Sequence, residues 1–581
     1  MKKTVLVVLA SALALSASAQ TWQDALLFSE NEYTGTARSA AMGNALTAVG
    51  GDLGSIGINP AGSAVAGYAQ FTLTPSLSFS VANATSDNPN LAFGDRVRTS
   101  YTRLKMPNLG FTFHMDTGRK SGLKRMTFGF VLNATNDFTG RMYAAGVNAT
   151  NSFCGSLASS AAGYPEDVLS GASSTISWWN LDDHNETYGL SWKDMVGYRS
   201  GIFGTVNGRY TGLTDWDNGR KWGGTLADLY QKYGLQTKGY KQDMLFNFAL
   251  NYSDELYVGA NLGFTLLRYG QAEFWYEAPN KESEFPAIPF DTNPDARFRS
   301  LEMKRIFDVK GAGAYLKLGV LWRTQSGLRL GAALQTPTIT NLDTRLAYYG
   351  KANVTGVALS GVQSPEWQDA YALVSPWRFN AGIAYTFGKA GLLSVDYEHV
   401  NYSRSFFRSQ AESGIYYGVS YFQNTNADIK DILGGSHMLR AGAELNVAPG
   451  VALRAGYSLA TSGQHNYLEW VYDEKDGKDH LMVFRLSDSD RAALAKHTLS
   501  AGVGFTRGAF FTDFTFRYRS MPTMYVTPYE YYDYDGTDYT SKYSVNGVDT
   551  EKYPEYSTYQ VPTVTATYRR FDAILTMGVR F

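Results

Sequence analysis

The chain has 581 residues, with 52 Lys and Arg against 53 Asp and Glu, so its formal charge is -1 and becomes -3 once Lys2 and Lys3 are set aside. That balance carries no electrostatic footprint for nucleic acid, and the single cysteine, Cys154, excludes an internal disulfide framework. After the first twenty residues no apolar run reaches the roughly 18 residues of a membrane-spanning helix, yet 40 Tyr, 32 Phe, 11 Trp and 58 Gly suit amphipathic strands with crowded turns.

Residues 1–19, MKKTVLVVLASALALSASA, combine two lysines, an apolar run from Val5 to Leu15 and the small residues Ala17-Ser18-Ala19. This is the pattern of a secretory signal peptide cut after Ala19. A membrane anchor is the competing assignment, but the run is short for one and no basic flank follows it. Residues 20–67 do not alternate. Thr36 is placed to cap a helix running to Val49, with Ala37, Ala41, Ala45 and Ala48 three or four residues apart. Gly50, Gly51, Gly54, Gly57 and Gly62 follow, and Pro60 disfavours a helical Asn59. Composition leaves an N-terminal arm and a lumen plug equally open for this segment.

A strand begins near Gln70, with Phe71, Leu73, Leu77 and Phe79 in one phase. Hairpins then recur along the chain. In LFNFALNYSDELYVGANLGFTLLRYG, Phe246, Phe248, Leu250 and Tyr252 share a phase, Ser253-Asp254-Glu255 turns the chain, and Leu256 to Leu266 repeat the alternation. The opposite phase, with Asn247, Asn261 and Thr265, suits a wet interior. Further turns fall at Gln325-Ser326-Gly327, Gly388 to Gly391, Ala448-Pro449-Gly450 and Arg507-Gly508-Ala509. Apolar runs of 8 to 11 residues between them suffice for tilted strands to cross a bilayer. The tail FDAILTMGVRF alternates to its last residue and resembles the closing strand of outer-membrane barrels.

Long polar segments separate the hairpins at about residues 140–186, 212–243, 269–306, 340–372, 402–436, 460–495 and 519–560. Seven external loops imply fourteen strands. A soluble β-sandwich would also alternate, but it leaves the signal peptide, terminal Phe and hairpin lengths as coincidences.

GTARSAAMGNALTAVGGDLGSIGINPAG at 35–62, with its Asn59-Pro60-Ala61-Gly62 signature, together with GAALQTP, ALRAGYS and the closing GVRF, resembles the FadL-type family of outer-membrane long-chain fatty-acid and aromatic-hydrocarbon transporters. The resemblance implies an all-β, 14-stranded antiparallel transmembrane β-barrel (68–581), whose N-terminal, partly helical segment (20–67) is a hatch in the lumen. It also implies a high-affinity pocket near the N-terminus, a sideways exit through the wall, and location in the outer membrane of a Gram-negative bacterium. A ligand pocket beside the hatch is expected at Met42, Leu46 and Ile58. Long, polar external loops depart from a hydrophobic funnel.

Asp396, Glu398, Arg440, Glu444, Arg454, Asp513 and Arg517 fall opposite the apolar phase and should line the lumen, as wall ion pairs or gate residues. Tyr525, Tyr529, Tyr531, Tyr532, Tyr534 and Tyr539 belong to a tyrosine-rich loop suited to a protein or glycan surface, or to loop-to-loop packing. No GxSxG elbow, HExxH helix or phosphate loop stands in a supporting context, and the seven histidines show no ligand spacing. Asp533 to Asp538 is similar to a calcium loop but lacks the distal Glu, and reads as an acidic turn. No catalytic residue, cofactor or metal is expected. The expected function is passive passage of a hydrophobic or amphipathic small molecule or lipid. Outer-membrane lipids and lipopolysaccharide are expected around the barrel. A scaffold binding an outer-membrane or surface protein is the alternative, and a membrane-embedded lipid hydrolase a remoter one.

Overall fold

The computed structural model describes residues 20–86, 92–148, 152–162, 164–171, 191–206, 208–214, 228–281, 287–288, 293, 295–409, 415–416, 419–420, 422–473, 478–529, 532–534, 541–545, 548–553, 556–559 and 563–581. The signal-peptide assignment lies outside them.

Fourteen positions make one closed antiparallel ring. They are β1 (Gln70–Ser86), β2 (Val97–Asp116), β3 (Leu123–Asn136, resumed at Gly140–Asn148), β4 (Leu229–Tyr252), β5 (Leu256–Pro279), β6 (Arg297–Arg323) and β7 (Leu328–Gln335, resumed at Ile339–Thr355). The ring continues through β8 (Trp367–Val374 and Arg378–Thr386), β9 (Gly391–Asn401, resumed at Phe406–Ser409), β10 (Gly435–Ala448) and β11 (Val451–Ala460). It ends with β12 (Lys496–Arg507), β13 (Phe510–Ser520, resumed at Met524–Val526) and β14 (Val564–Arg580). β14 pairs β1 from Gln70↔Arg580 to Ser86↔Val564, which leaves no free sheet edge at the seam. Phe581 and Ala69 exchange backbone hydrogen bonds beside it.

The alternation sorts as anticipated. Phe246, Leu262, Leu318, Leu393, Leu439 and Phe516 are among the large apolar side chains exposed on the outer face. Such a belt on a closed ring is a transmembrane barrel of the outer-membrane type. Rings interlock along it, as in Phe130–Phe246 at 5.2 Å and Phe128–Phe248 at 5.0 Å between centroids.

Three expectations need correction. β4 to β8 are longer than the apolar runs, so the described residues of 212–243, 269–306 and 340–372 are mostly strand rather than loop. Their outer halves stand above the apolar belt, where polar residues on the outer face are soluble and a hydrophobicity pattern no longer marks them. The segments 140–186 and 212–243 flank one and the same connection, that between β3 and β4, whereas the connection between β1 and β2 passed unnoticed. Lastly, the helix from Thr36 covers only α2 (Ala37–Ala41), preceded by an unforeseen α1 (Trp22–Ser29). Gly43 and Asn44 have φ of +61° and +62°, which ends α2 before Val49.

Above the belt the β3–β4 excursion forms an external cap. It contains α3 (Phe153–Ser160), α4 (Glu166–Ser170), α5 (Trp192–Arg199) and a hairpin over Phe203–Gly212. Its apolar side packs with Phe93, Trp275, Phe298 and Val564 of the barrel's upper interior. Buried Glu277 of β5 accepts from the amides of Phe153 and Cys154 at the start of α3, and Gln231 donates to it at 2.6 Å. α6 (Gln423–Ile432), between β9 and β10, closes over α1.

Candidate functional site: hatch, chamber and wall

Residues 20–67 fill the lumen from α1, in its outer half, down to β1. Met42, Leu46 and Ile58 are fully buried, and they cluster with Tyr33, Ala48, Val49, Ala384 and Leu392. They are part of the plug's packed core. Pro60 and Ala61 abut Gly259 of β5, where an added Cβ would stand 2.5 Å from the Pro60 carbonyl carbon. Gly62 sits beneath Gly50 and Ser55. Asn59 is a hub: its amide donates to Thr47 O at 2.7 Å and Val320 O at 3.0 Å, while its Oδ1 accepts from Ala61 N at 3.1 Å.

The wall is shaped to this backbone. Gly319 faces Asn59 Oδ1, Gly331 faces Thr47 O, Gly442 faces Met42 O and Gly456 faces Gly43 N, each so close that a Cβ would come within 2.5 Å. Gly259↔Gly319 and Gly442↔Gly456 are direct cross-strand pairs. The polar phase taken for a wet lining is in fact dry. Asn247, Asn261 and Thr265 are buried, and the two asparagines donate to Pro60 O and Ile56 O. Thr515 donates to Ala37 O, and Ser500 to Ala41 O. A plug of short helices and turns leaves carbonyls and amides to satisfy, and the inward hydroxyls and amides do so.

All seven predicted lumen residues face inward, and three hold the hatch directly. Asp396 accepts from Thr47 N at 2.7 Å and Thr47 Oγ1 at 2.6 Å. Glu444 pairs with Arg38 at 2.8 Å and with Arg454 at 2.6 Å. Arg454 continues to Asp513 at 2.5 Å. Arg517 donates to Tyr33 O at 3.2 Å and pairs with Asp572 at 3.0 Å. Glu398 bridges Arg378 and Arg440.

Between α1 and this network lies a cavity of about 70 Å³. Arg378, Arg440, Lys496, Arg517 and Arg519 line it against Glu30, Glu32 and Glu398, with the Tyr33 ring beneath Arg440 at 5.5 Å. Nε and Nη2 of Arg440 are buried and have no hydrogen-bond partner, as is Nε of Arg519. Burial alone would raise the Glu32 carboxyl, but Lys496, Arg519 and Arg570 outweigh it and hold it down to about 2. Trp22, Ala25 and Phe28 of α1 fill an apolar layer beside the cavity, against Tyr269, Phe307, Leu342, Tyr371 and Tyr402. Sequence inspection missed α1 and this layer. The signal available was the capping box of Thr21 and Asp24 ahead of WQDALLF.

The wall is interrupted at one level. β2 pairs β3 only from Asn108↔Asn133 to Asp116↔Arg125, although β2 still pairs β1 as far as Val97. β3 breaks at Asp137–Thr139 and steps inward. Arg570 of β14, separated from β3 by β1 and β2 in the ring, donates to Thr139 O at 2.6 Å. The outer half of β3 then pairs only β4, apart from a bridge between Asp95 and Ala145. The break is charged on its inner side: Lys105 lies 2.5 Å from Asp137 and 3.5 Å from Asp572, and Arg103 reaches Thr139.

The loop tyrosines divide. Tyr529 is buried under the cap, its ring 6.0 Å from Phe153, with its hydroxyl donating to Gln231 at 3.0 Å and accepting from Asn148 at 3.1 Å. It is a cap core residue, not loop surface. Tyr525 is half-buried beside β14. The side chains of Tyr531, Tyr532, Tyr534 and Tyr539, and the acidic turn 533–538, lie outside the described residues.

No family model and no curated protein matches the chain. Among solved structures it is similar to the toluene transporter TodX of P. putida, at 12% identity and TM-score 0.45, over 95% of this chain and 99% of that one. It is similar to a FadL homologue of Pseudomonas aeruginosa, at 11% identity and TM-score 0.45, over 94% and 99%. The toluene transporter TbuX of Ralstonia pickettii, at 14% identity and TM-score 0.42, matches over 94% and 98%. Over nearly its whole length, then, the chain is similar to FadL-type outer-membrane transporters, the family that residues 35–62 resemble.

Proposed function

We propose that the protein is a passive outer-membrane conduit for hydrophobic or amphipathic small molecules, without a covalent step. The observation that carries this is the interrupted β2–β3 pairing next to an interior that has both an apolar layer and a cationic cavity. Cargo enters under the cap, displaces α1 from the apolar layer, and leaves through the break in the wall as the Asp137–Lys105–Arg570 contacts part. Titles of similar structures name toluene transport and monoaromatic hydrocarbon channels, which supports an apolar cargo. The unsatisfied Arg440 donors favour one with an anionic end, such as a long-chain fatty acid, because charge-assisted bonds would compensate their burial.

The test is flux into proteoliposomes of a fluorescent long-chain carboxylate and of a neutral aromatic of similar size. Wild-type protein should carry both, with Arg440→Gln lowering carboxylate flux about tenfold or more and sparing the neutral probe. Deleting Asp137–Thr139, to straighten β3, should stop both. Undiminished flux in the deletion would overturn the lateral route, and no flux in the wild type would overturn transport. In that event the capped barrel is better regarded as a scaffold for a surface protein.

A further inference from the structure

Above the apolar belt the outer wall is not uniform. On β9 to β12 it carries tyrosine–histidine pairs: Tyr397 bonds His437 Nδ1 at 2.7 Å, and Tyr457 bonds His497 Nδ1 at 2.9 Å. On β4 to β7 it is basic. The ladder sets Tyr240, Arg268, Lys310 and Asp343 in one cross-strand row, and Lys238, Gly270, Asp308 and Arg345 in the next row outward. All eight share the phase of the lipid-facing Phe246, Leu266, Leu316 and Ile339, so they point away from the lumen.

Lys238, Arg268, Lys310 and Arg345 are exposed. Among the described residues only Arg345 of the four has an ion-pair partner, Glu366 at 3.6 Å, with both side chains about half exposed. Gly270 makes room for its neighbours: a Cβ there would meet Asp308 Oδ1 at 2.6 Å and Lys238 Cε at 2.8 Å. Four strands at about 4.8 Å spacing make the patch roughly 14 Å wide and two rows, about 7 Å, high. Four cations against Asp308, Asp343 and Glu366 leave it net positive by one charge.

We propose that this patch is a binding site for the phosphates of a diphosphorylated glycolipid in the outer leaflet. Continuity fixes the class of ligand. The row immediately below is mixed, Gln242, Leu266, Ala312 and Asn341, and the next is apolar, Met244, Phe264, Ala314 and Ile339, so acyl chains lie against the wall just under the cations and their headgroup meets the patch. Guanidinium and ammonium donors at that level match phosphate oxygens. Single exposed cations occur elsewhere on the rim, at Arg408 of β9 and Arg569 of β14, as snorkelling to the interface alone would give, whereas β4 to β7 gather four of them in two adjacent rows. The site is independent of what the lumen conducts.

The experiment is native mass spectrometry of the full barrel, delipidated in detergent, titrated with hexa-acylated diphosphoryl lipid A or with its dephosphorylated form. Wild-type protein should retain one diphosphoryl molecule about tenfold better than the dephosphorylated one. Arg268→Gln/Lys310→Gln should lose that preference, while His437→Gln/His497→Gln on the opposite wall keeps it. Both variants change exposed side chains, and heat-dependent mobility in SDS gels checks that each is folded. An unchanged preference in Arg268→Gln/Lys310→Gln, no preference in the wild type, or equal displacement by phosphatidylglycerol would each overturn the proposal.

Discussion

Single residues decide whether the lumen is open. Gly319 carries no side chain because Asn59 Oδ1 occupies the place of its Cβ, at 2.0 Å. Overpacking a filled core costs about 1–3 kcal/mol, and here the hatch is the softer partner, since the wall is tied into the ladder on both sides. Gly319→Val should therefore dislodge the hatch and leave the barrel intact. Planar-bilayer recordings should show a conductance that the parent lacks. A quiet bilayer with folded protein would mean the hatch yields without leaving. Asn59→Ala is a different lesion: it orphans the Thr47 and Val320 carbonyls, at about 1–3 kcal/mol for a lost buried partner.

At the scale of elements, α1 is the part that cargo displaces on the proposed route, and its cap makes it sensitive to acid. Burial pushes the Asp24 carboxyl up to about 6, against the opposing hydrogen bonds from Thr21. The seated state thus binds this proton more tightly than the released one. Seating is weakest when Asp24 is ionised, above about pH 6, and strengthens as pH falls toward the ordinary value of 3.8. Glu32 acts oppositely but lower: its ion pairs contribute above its ordinary 4.5 and are lost only as pH falls toward about 2. Hydrogen exchange of residues 20–33, corrected for intrinsic rate, should therefore slow between about pH 7.5 and about pH 5. Asp24→Asn should remove the dependence, and faster exchange in acid would refute it.

The elements also show where sequence legibility stops. Strands crossing the bilayer were visible because lipid imposes apolar residues at every second position. The outer halves of β4 to β8 were not, because above the belt either phase can be polar. The strand total came out at fourteen through two compensating errors, a split excursion and an unnoticed turn after β1. Inward charges such as Asp396, Glu444 and Arg517 were legible from phase alone. Arg378, Lys496, Arg519 and Asp572, which complete the cavity, are on equivalent phases but needed the ring closure to bring them together. Met42 and Leu46 were legible as hatch residues, but apolarity near a plug fits a pocket as well as a packed core.

For the molecule as a whole, one apolar core spans the cap and the barrel's upper interior. The cap cluster around Phe153, Leu157, Met195 and Phe203 is joined to the barrel by Trp275, stacked on Phe153 at 5.3 Å, and by Glu277 at the start of α3. Glu277→Ala removes an acceptor from buried amides, a loss of about 1–3 kcal/mol. It should lower a cap transition in calorimetry while the barrel transition stays in place. A single transition shifting as one would show that cap and barrel melt together.

The fit between the strand glycines and the hatch bears also on the order of assembly. Residues 20–67 precede every strand in the chain, while the ring is completed only when the last strand, β14, meets β1. The wall contacts that accept the plug come from β5 to β12, spread over most of the circumference. A segment gripped on so many sides, with the cap above it, is most simply laid down before the seam shuts, so that the sheet curls around a template. The plug thereby serves as a mandrel for the cylinder that later confines it.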